Sequence, residues 1–281
     1  MIRAPLGNKK YWDEWTAFRS ERLDKEWAQI QRPSANPTYR AQYVWNSTLH
    51  HFRLAMTLYS KGGAVTELLP VFCRLLDAWE LSDELSVAIC SEFGLRACRD
   101  WVYDLQNLNH YNWCFSLLGL ALSLDVSAQE WGRLCRLIGG GGEDLLLDKV
   151  IFSRDAQRVI GDKLLHPKPY ALLARCLECS SEESRSVLRD FVEGWYSGLE
   201  RKGGEELWWY RNGGFSEETI KDGLYFGAWC VEAVAVVKAY SLDDSLCLNC
   251  QNYPGELSHT GNSEDYKVDT SSTKRWWSRF F

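Results

Sequence analysis

The sequence predicts an all-α protein, a multi-helix bundle of two helical modules arranged around a buried central helix near the C-terminus. Three observations carry that expectation. Apolar residues recur at helical spacing through long segments, and only 7 prolines interrupt the chain, which favours helices over short strands and turns. Residues 223–240 are apolar on every face, with Glu232 and Lys238 as the sole charges, and a helix apolar all round is a buried one. The 14 tryptophans, spread from Trp12 to Trp277, supply the aromatic area that dominates core energetics.

Tyr11, Trp12, Trp15, Phe18, Leu23, Trp27 and Ile30 mark a first helix that ends before Pro33. Residues 38–59 form a second, broken by Lys61-Gly62-Gly63. Val65, Leu68, Leu69, Phe72, Leu75, Leu76 and Trp79 share one stripe of a third. Ser82 is placed to cap a fourth, which carries Leu85, Ile89, Phe93, Trp101, Val102 and Leu105. Residues 111–124 are almost wholly apolar and read as a buried fifth helix.

Ser127 and Glu130 have capping-box spacing and open a helix that stops at the four glycines 139–142. That run is the expected boundary between an N-terminal helical module, 1–138, and a C-terminal one, 143–257. A shorter helical region is expected over 143–160, and another helix over 170–179 after His166-Pro167-Lys168-Pro169. Ser180 and Glu183 repeat the capping-box spacing ahead of Val187, Leu188, Phe191, Val192, Trp195, Tyr196 and Leu199. Residues 258–281 form a polar tail whose basic, aromatic tip ends the chain, and disorder is the default for such a tail.

The formal charge of −6 is unevenly placed. Residues 182–258 hold 14 acidic and 7 basic side chains, so the segment is −7 and the rest of the chain +1. An acidic surface repels phosphate backbones and attracts basic ones, which disfavours nucleic-acid binding and points to a basic protein partner. The N-terminal residues lack a signal-peptide core, and no stretch suits a membrane span. Ten cysteines, mostly single on apolar faces, fit reduced thiols in a cytoplasmic protein better than a disulfide scaffold. The pairs Cys176/Cys179 and Cys247/Cys250 are too far apart for a zinc ribbon, and no metal or other cofactor is expected.

The notable carboxylates flank the apolar stretch. Asp222 precedes it, where negative charge suits a helix N-terminus. Asp243 and Asp244 follow it, where negative charge is unfavourable, so either Asp243 caps the next turn or the pair faces a cation or an arginine-rich partner. Glu232, inside the stretch, needs a hydrogen-bond partner or a raised pKa. Histidine metal motifs, nucleophile elbows and phosphate-binding loops are missing from the sequence, so the residues alone indicate no catalytic centre.

Four segments of the C-terminal half, in this order, resemble the PoNi family, immunity proteins paired with PoNe-type polymorphic nuclease effectors. They are VLRDFVEGWYSGL at 187–199, WWY at 208–210, GLYFGAWCVEAVAVVKAYSLDDSL at 223–246 and YPGEL at 253–257. FRLAMTLYSKGGAVTELLPVFCRLLDAWE at 52–80 carries the N-terminal half of the likeness. The resemblance implies a non-enzymatic cytoplasmic antitoxin that binds a cognate nuclease, often one delivered by a type VI secretion system. The cognate toxins look like restriction-endonuclease-type DNases, whose DNA-binding faces are basic. On that reading Asp222, Asp243, Asp244 and Glu256 belong to an acidic surface near the toxin contact, and Glu232 braces the fold. The alternatives are a metal-dependent all-α hydrolase using the same carboxylates, or a helical scaffold for another partner.

Overall fold

The first three helices, Lys9–Ile30 (α1), Pro37–Ser60 (α2) and Leu68–Phe93 (α3), pack side by side in sequence order. The computed structural model describes residues 1–32, 36–94, 104–210 and 217–260. Asn8 caps α1 by accepting from the Tyr11 N–H, and a 3-10 turn at Val65–Glu67 leads into α3. The break expected at Ser82 does not occur. Its hydroxyl turns away from its own helix and donates to the Ala41 carbonyl at 2.9 Å, so a residue that resembles a cap instead ties α3 to α2. Trp101 and Val102, assigned to that fourth helix, lie outside the described residues.

Leu108–Ser123 (α4) is buried along most of its length and packs against Val231–Tyr240 (α10). Gly119 permits the closest approach: a Cβ there would stand 2.4 Å from the Val231 carbonyl oxygen. Between them come Ala128–Ile138 (α5), Leu145–Phe152 (α6), Pro167–Arg175 (α7), Ser181–Gly198 (α8) and Glu217–Lys221 (α9), and Gly255–Ser258 (α11) follows α10. Ser127 and Glu130 form the reciprocal capping box of α5, and Ser180 accepts from the Glu183 N–H at the start of α8. Among the described residues every regular element is helical.

The apolar stretch is only half helical. Residues 224–230 form no helix and are buried from Tyr225 onward, and α10 begins at Val231. Periodicity does not separate a buried extended segment from a buried helix, because both read as continuous apolar runs. Local chemistry does. Gly227 holds φ at +96°, and side chains replace the helical hydrogen bonds the segment forgoes. The Tyr225 carbonyl accepts from the Tyr11 hydroxyl at 2.6 Å, the Phe226 carbonyl from Ser60 at 2.8 Å and the Ala228 carbonyl from Asn252 at 2.8 Å.

The glycines 139–142 are stitched to the fold as well. Asp148, fully buried, accepts from the backbone N–H groups of Gly142, Asp144 and Gly161. Its other oxygen pairs with Arg158 Nε at 2.6 Å, and Arg158 Nη2 donates to the Gly139 carbonyl at 2.7 Å. One apolar core then runs from Ala4 to Leu257. Eight cysteines are free thiols, whereas Cys90 is disulfide-bonded, which departs from the expectation of reduced thiols throughout. Cys98 and residues 261–281 of the tail lie outside the described residues. Among the described residues no helix is long and apolar enough to cross a membrane.

Candidate functional site

The five carboxylates singled out in the sequence divide into two groups. Glu232 opens the first turn of α10 and is fully buried. Its Oε1 accepts from Asn112 Nδ2 on α4, from the Tyr170 hydroxyl on α7 at 3.3 Å and from Trp195 Nε1 on α8 at 3.2 Å. Trp209 Nε1 in turn donates to Asn112 Oδ1 at 2.7 Å. Oε2 has no partner. Burial outweighs the opposing pull of its own backbone N–H and of Trp195, Tyr170 and Asn112, and raises the carboxyl pKa to about 7.

Asp244 corrects an expectation. The sequence pattern expects it on an acidic surface, but it is 4% exposed. Oδ2 accepts from the Tyr253 hydroxyl at 2.5 Å and from the Ser258 hydroxyl at 2.6 Å, and Oδ1 faces His259 Nε2 at 3.0 Å. The carboxylate closes the turn between α10 and α11, so its charge is spent inside the fold. Burial, then the adjacent Asp244 charge, holds the Tyr253 hydroxyl pKa well above its ordinary value.

The remaining three face outward, in different settings. Asp243 is exposed; its Oδ1 accepts from the Ser245 N–H at 2.9 Å, a local turn bond ahead of residues 245–249, which form turns and not a helix, and Oδ2 pairs with Arg185 of α8 at 3.2 Å. The bonds from Ser245, more than the Arg185 charge, lower its pKa. Glu256, half-buried, pairs with Arg3, which also donates to the Tyr59 and Gly63 carbonyls and so fastens the N-terminal residues. Asp222 is exposed after α9, before the non-helical segment rather than before a helix. No hydrogen bond or ion pair joins Asp222, Asp243 and Glu256 to one another among the described residues.

Most of the exposed acidity lies elsewhere in the same half. Glu182, Glu183, Asp190 and Glu193 occupy the outer face of α8, and Glu200 and Glu205 follow it, all exposed. Their signal in the sequence is the polar row between the buried Val187, Leu188, Phe191, Val192 and Trp195. Arg175 pairs with Glu183, and Arg189 stands 3.8 Å from Asp190 and 3.7 Å from Glu193. Exposed pairs of this kind are worth about 0–1 kcal/mol, so those carboxylates separate readily from their partners. Among the described residues no group of three or more histidine, cysteine, aspartate or glutamate side chains is arranged to hold a metal ion.

Comparison with known proteins places these features in a family. No curated protein matches the chain. A solved structure, described as the crystal structure of protein PA2201 from Pseudomonas aeruginosa, shares the fold with a TM-score of 0.66 and 17% sequence identity, over 92% of this chain and 91% of that one. Residues 3–136 match the family described as PoNe immunity protein (PoNi), N-terminal, and residues 142–257 match PoNe immunity proteins (PoNi), C-terminal. The chain therefore belongs to the PoNi family of PoNe immunity proteins.

Proposed function

We propose that this protein neutralises a cognate nuclease toxin by binding it directly, through the acidic surface of its C-terminal half, without chemistry of its own. The observation that carries the reading is the segregation of charge: residues 182–258 are −7 while the rest of the chain is +1. A nuclease must present a basic face to its phosphate backbone, and an acidic protein competes for that face by steering and by complementarity. Exposed carboxylates on α8, with Asp243, which pairs with Arg185 of that helix, supply the negative surface, and Asp222 and Glu256 add to the acidity of the same half. Action in the cytoplasm, against a toxin delivered by a type VI secretion system, is the setting in which such a pairing protects a cell.

Co-expression of the tagged full chain with the product of the neighbouring reading frame tests the proposal. Capture of a stable complex, together with rescue of growth from that product, is the expected result. Toxicity that persists, with no complex, would overturn it.

A further inference from the structure

The C-terminal tail leaves the described fold beside a cavity of about 550 Å³ that Thr260 itself lines. The Thr260 hydroxyl donates to the Ser123 carbonyl at 2.7 Å, which pins the start of the tail to the cavity wall. Leu69 of α3 and Leu122 of α4 give the cavity its apolar side, while Lys238 of α10 and Arg154, in the turn after α6, bring positive charge.

The two cations are unequally satisfied. Arg154 stands 3.7 Å from Asp125, donates to the Val126 carbonyl at 3.0 Å and lies 5.1 Å from the Trp131 ring centroid. Lys238 is half-buried and donates to the Thr260 carbonyl at 3.0 Å, and no carboxylate of the described residues stands within ion-pair distance of it. Burial lowers its pKa, against the pull of the Asp125 charge. An ammonium so placed gains from a carboxylate that shares its partial burial.

The chain's own continuation supplies one. The first charged residues beyond Thr260 are Glu264 and Asp265, and Tyr266 and Val268 follow. Four residues reach no more than about 14 Å, so Glu264 stays in the neighbourhood of the cavity. Alternate side chains of an extended segment share a side, which groups Glu264, Tyr266 and Val268 against Asp265, Lys267 and Asp269. The first group offers one carboxylate for Lys238 and two apolar side chains for Leu69 and Leu122. Tethering favours this occupant over a separate chain, because its binding is intramolecular. The basic tip of the tail, with Lys274, Arg275 and Arg279, would instead meet like charge at Lys238 and Arg154.

We propose that residues 264–268 dock in this cavity, with Glu264 paired to Lys238 and with Tyr266 and Val268 laid against Leu69 and Leu122. The docked segment touches α3, α4 and α10, and so clasps helices from early and late in the chain.

Tryptic cleavage after Lys267 in the full chain tests the contact, with the same bond in a free peptide of residues 261–281 as the reference and each tail variant referred to its own peptide. In the parent the bond is expected to be cut at least about tenfold more slowly in the chain than in the peptide. Glu264→Gln combined with Tyr266→Ala should remove most of that protection, and so, separately, should Lys238→Gln. The tail substitutions lie outside the core, so they decide the matter even if Lys238→Gln fails to fold. Equal rates for the parent chain and its peptide would overturn the docking, and so would protection that survives in either variant. Protection that fades on dilution would assign the tail to a second copy of the chain and overturn the intramolecular contact.

Discussion

Trp195 donates its indole proton to Glu232 Oε1 across 3.2 Å, joining α8 to α10 through a carboxyl group that no solvent reaches. Asn112 and Tyr170 bring α4 and α7 to the same oxygen, so four helices meet on one atom. All three donors favour the charged form, yet among the described residues Oε2 has no partner, and burial dominates. The folded protein therefore keeps this proton to about pH 7, whereas the unfolded chain releases it near the ordinary glutamate value of 4.5.

Glu232 should consequently make stability fall as pH rises. Its folded pKa lies above its unfolded one, so its contribution is complete below about pH 4.5 and is lost as pH climbs through about 7. A shift of that size corresponds to about 3 kcal/mol at most. Glu232→Gln copies the protonated form, with an amide where the acid hydroxyl stood. Urea unfolding at pH 5 and pH 8 should show the parent losing stability relative to Glu232→Gln at the higher pH. An equal difference at both values would mean that the carboxyl is ionised throughout.

Asp244 and Asp243 are adjacent in sequence but opposite in role. Asp244→Ala strips the acceptor from the buried Tyr253 and Ser258 hydroxyls and should cost about 2–4 kcal/mol. Asp243→Ala loses an exposed ion pair and one exposed turn hydrogen bond, about 1 kcal/mol. Chemical denaturation of the two variants separates them. Comparable losses would contradict the burial of Asp244. Lysine at 244 would unfold the chain and say nothing about the partner, so charge reversal belongs at Asp243 alone.

The helices were legible because their signals are local. Asn8 and Ile30 bound α1, and Ser127 with Glu130 opens α5, each by interactions within a few residues. What stayed hidden depends on partners distant in sequence. Residues 224–230 can leave the helix because Tyr11, Ser60 and Asn252 satisfy three of their carbonyls, and no window around 224–230 contains those residues. Asp244 reads as a surface charge until Tyr253 and Ser258 fold back onto it. Glu232 was identifiable as a carboxylate in need of partners, but its donors come from residues 112, 170 and 195. Net charge marked the acidic half without saying which carboxylates reach solvent.

The glycine run 139–142 should behave as a clasped loop. Asp148 and Arg158 form a nearly dry pair, their side chains 0% and 9% exposed, and between them they hold Gly139, Gly142 and Gly161. Removing one member of such a pair strands the other and costs about 3–5 kcal/mol. Arg158→Ala should therefore lower stability by that amount, and replacing both residues should cost less than the sum of the single losses. Hydrogen exchange localises the effect: amides at 142, 144 and 161 should lose protection in Arg158→Ala. Unaltered protection there would show that the glycines are held by other contacts.

If the acidic face steers the toxin, its charges should govern association more than dissociation. Asp190, Glu193 and Asp243 are exposed, and the arginines they face hold them weakly. Reversing all three to lysine changes the net charge by +6 without touching the core, so the fold should persist by circular dichroism. Association with the toxin should slow by about 10- to 100-fold at low ionic strength, and the gap from the parent should close as salt shortens the Debye length toward 3 Å near 1 M. Stopped-flow association across a salt series reads both quantities. Equal on-rates at low salt would remove steering from the mechanism and leave the contact to be carried by shape and by uncharged surface.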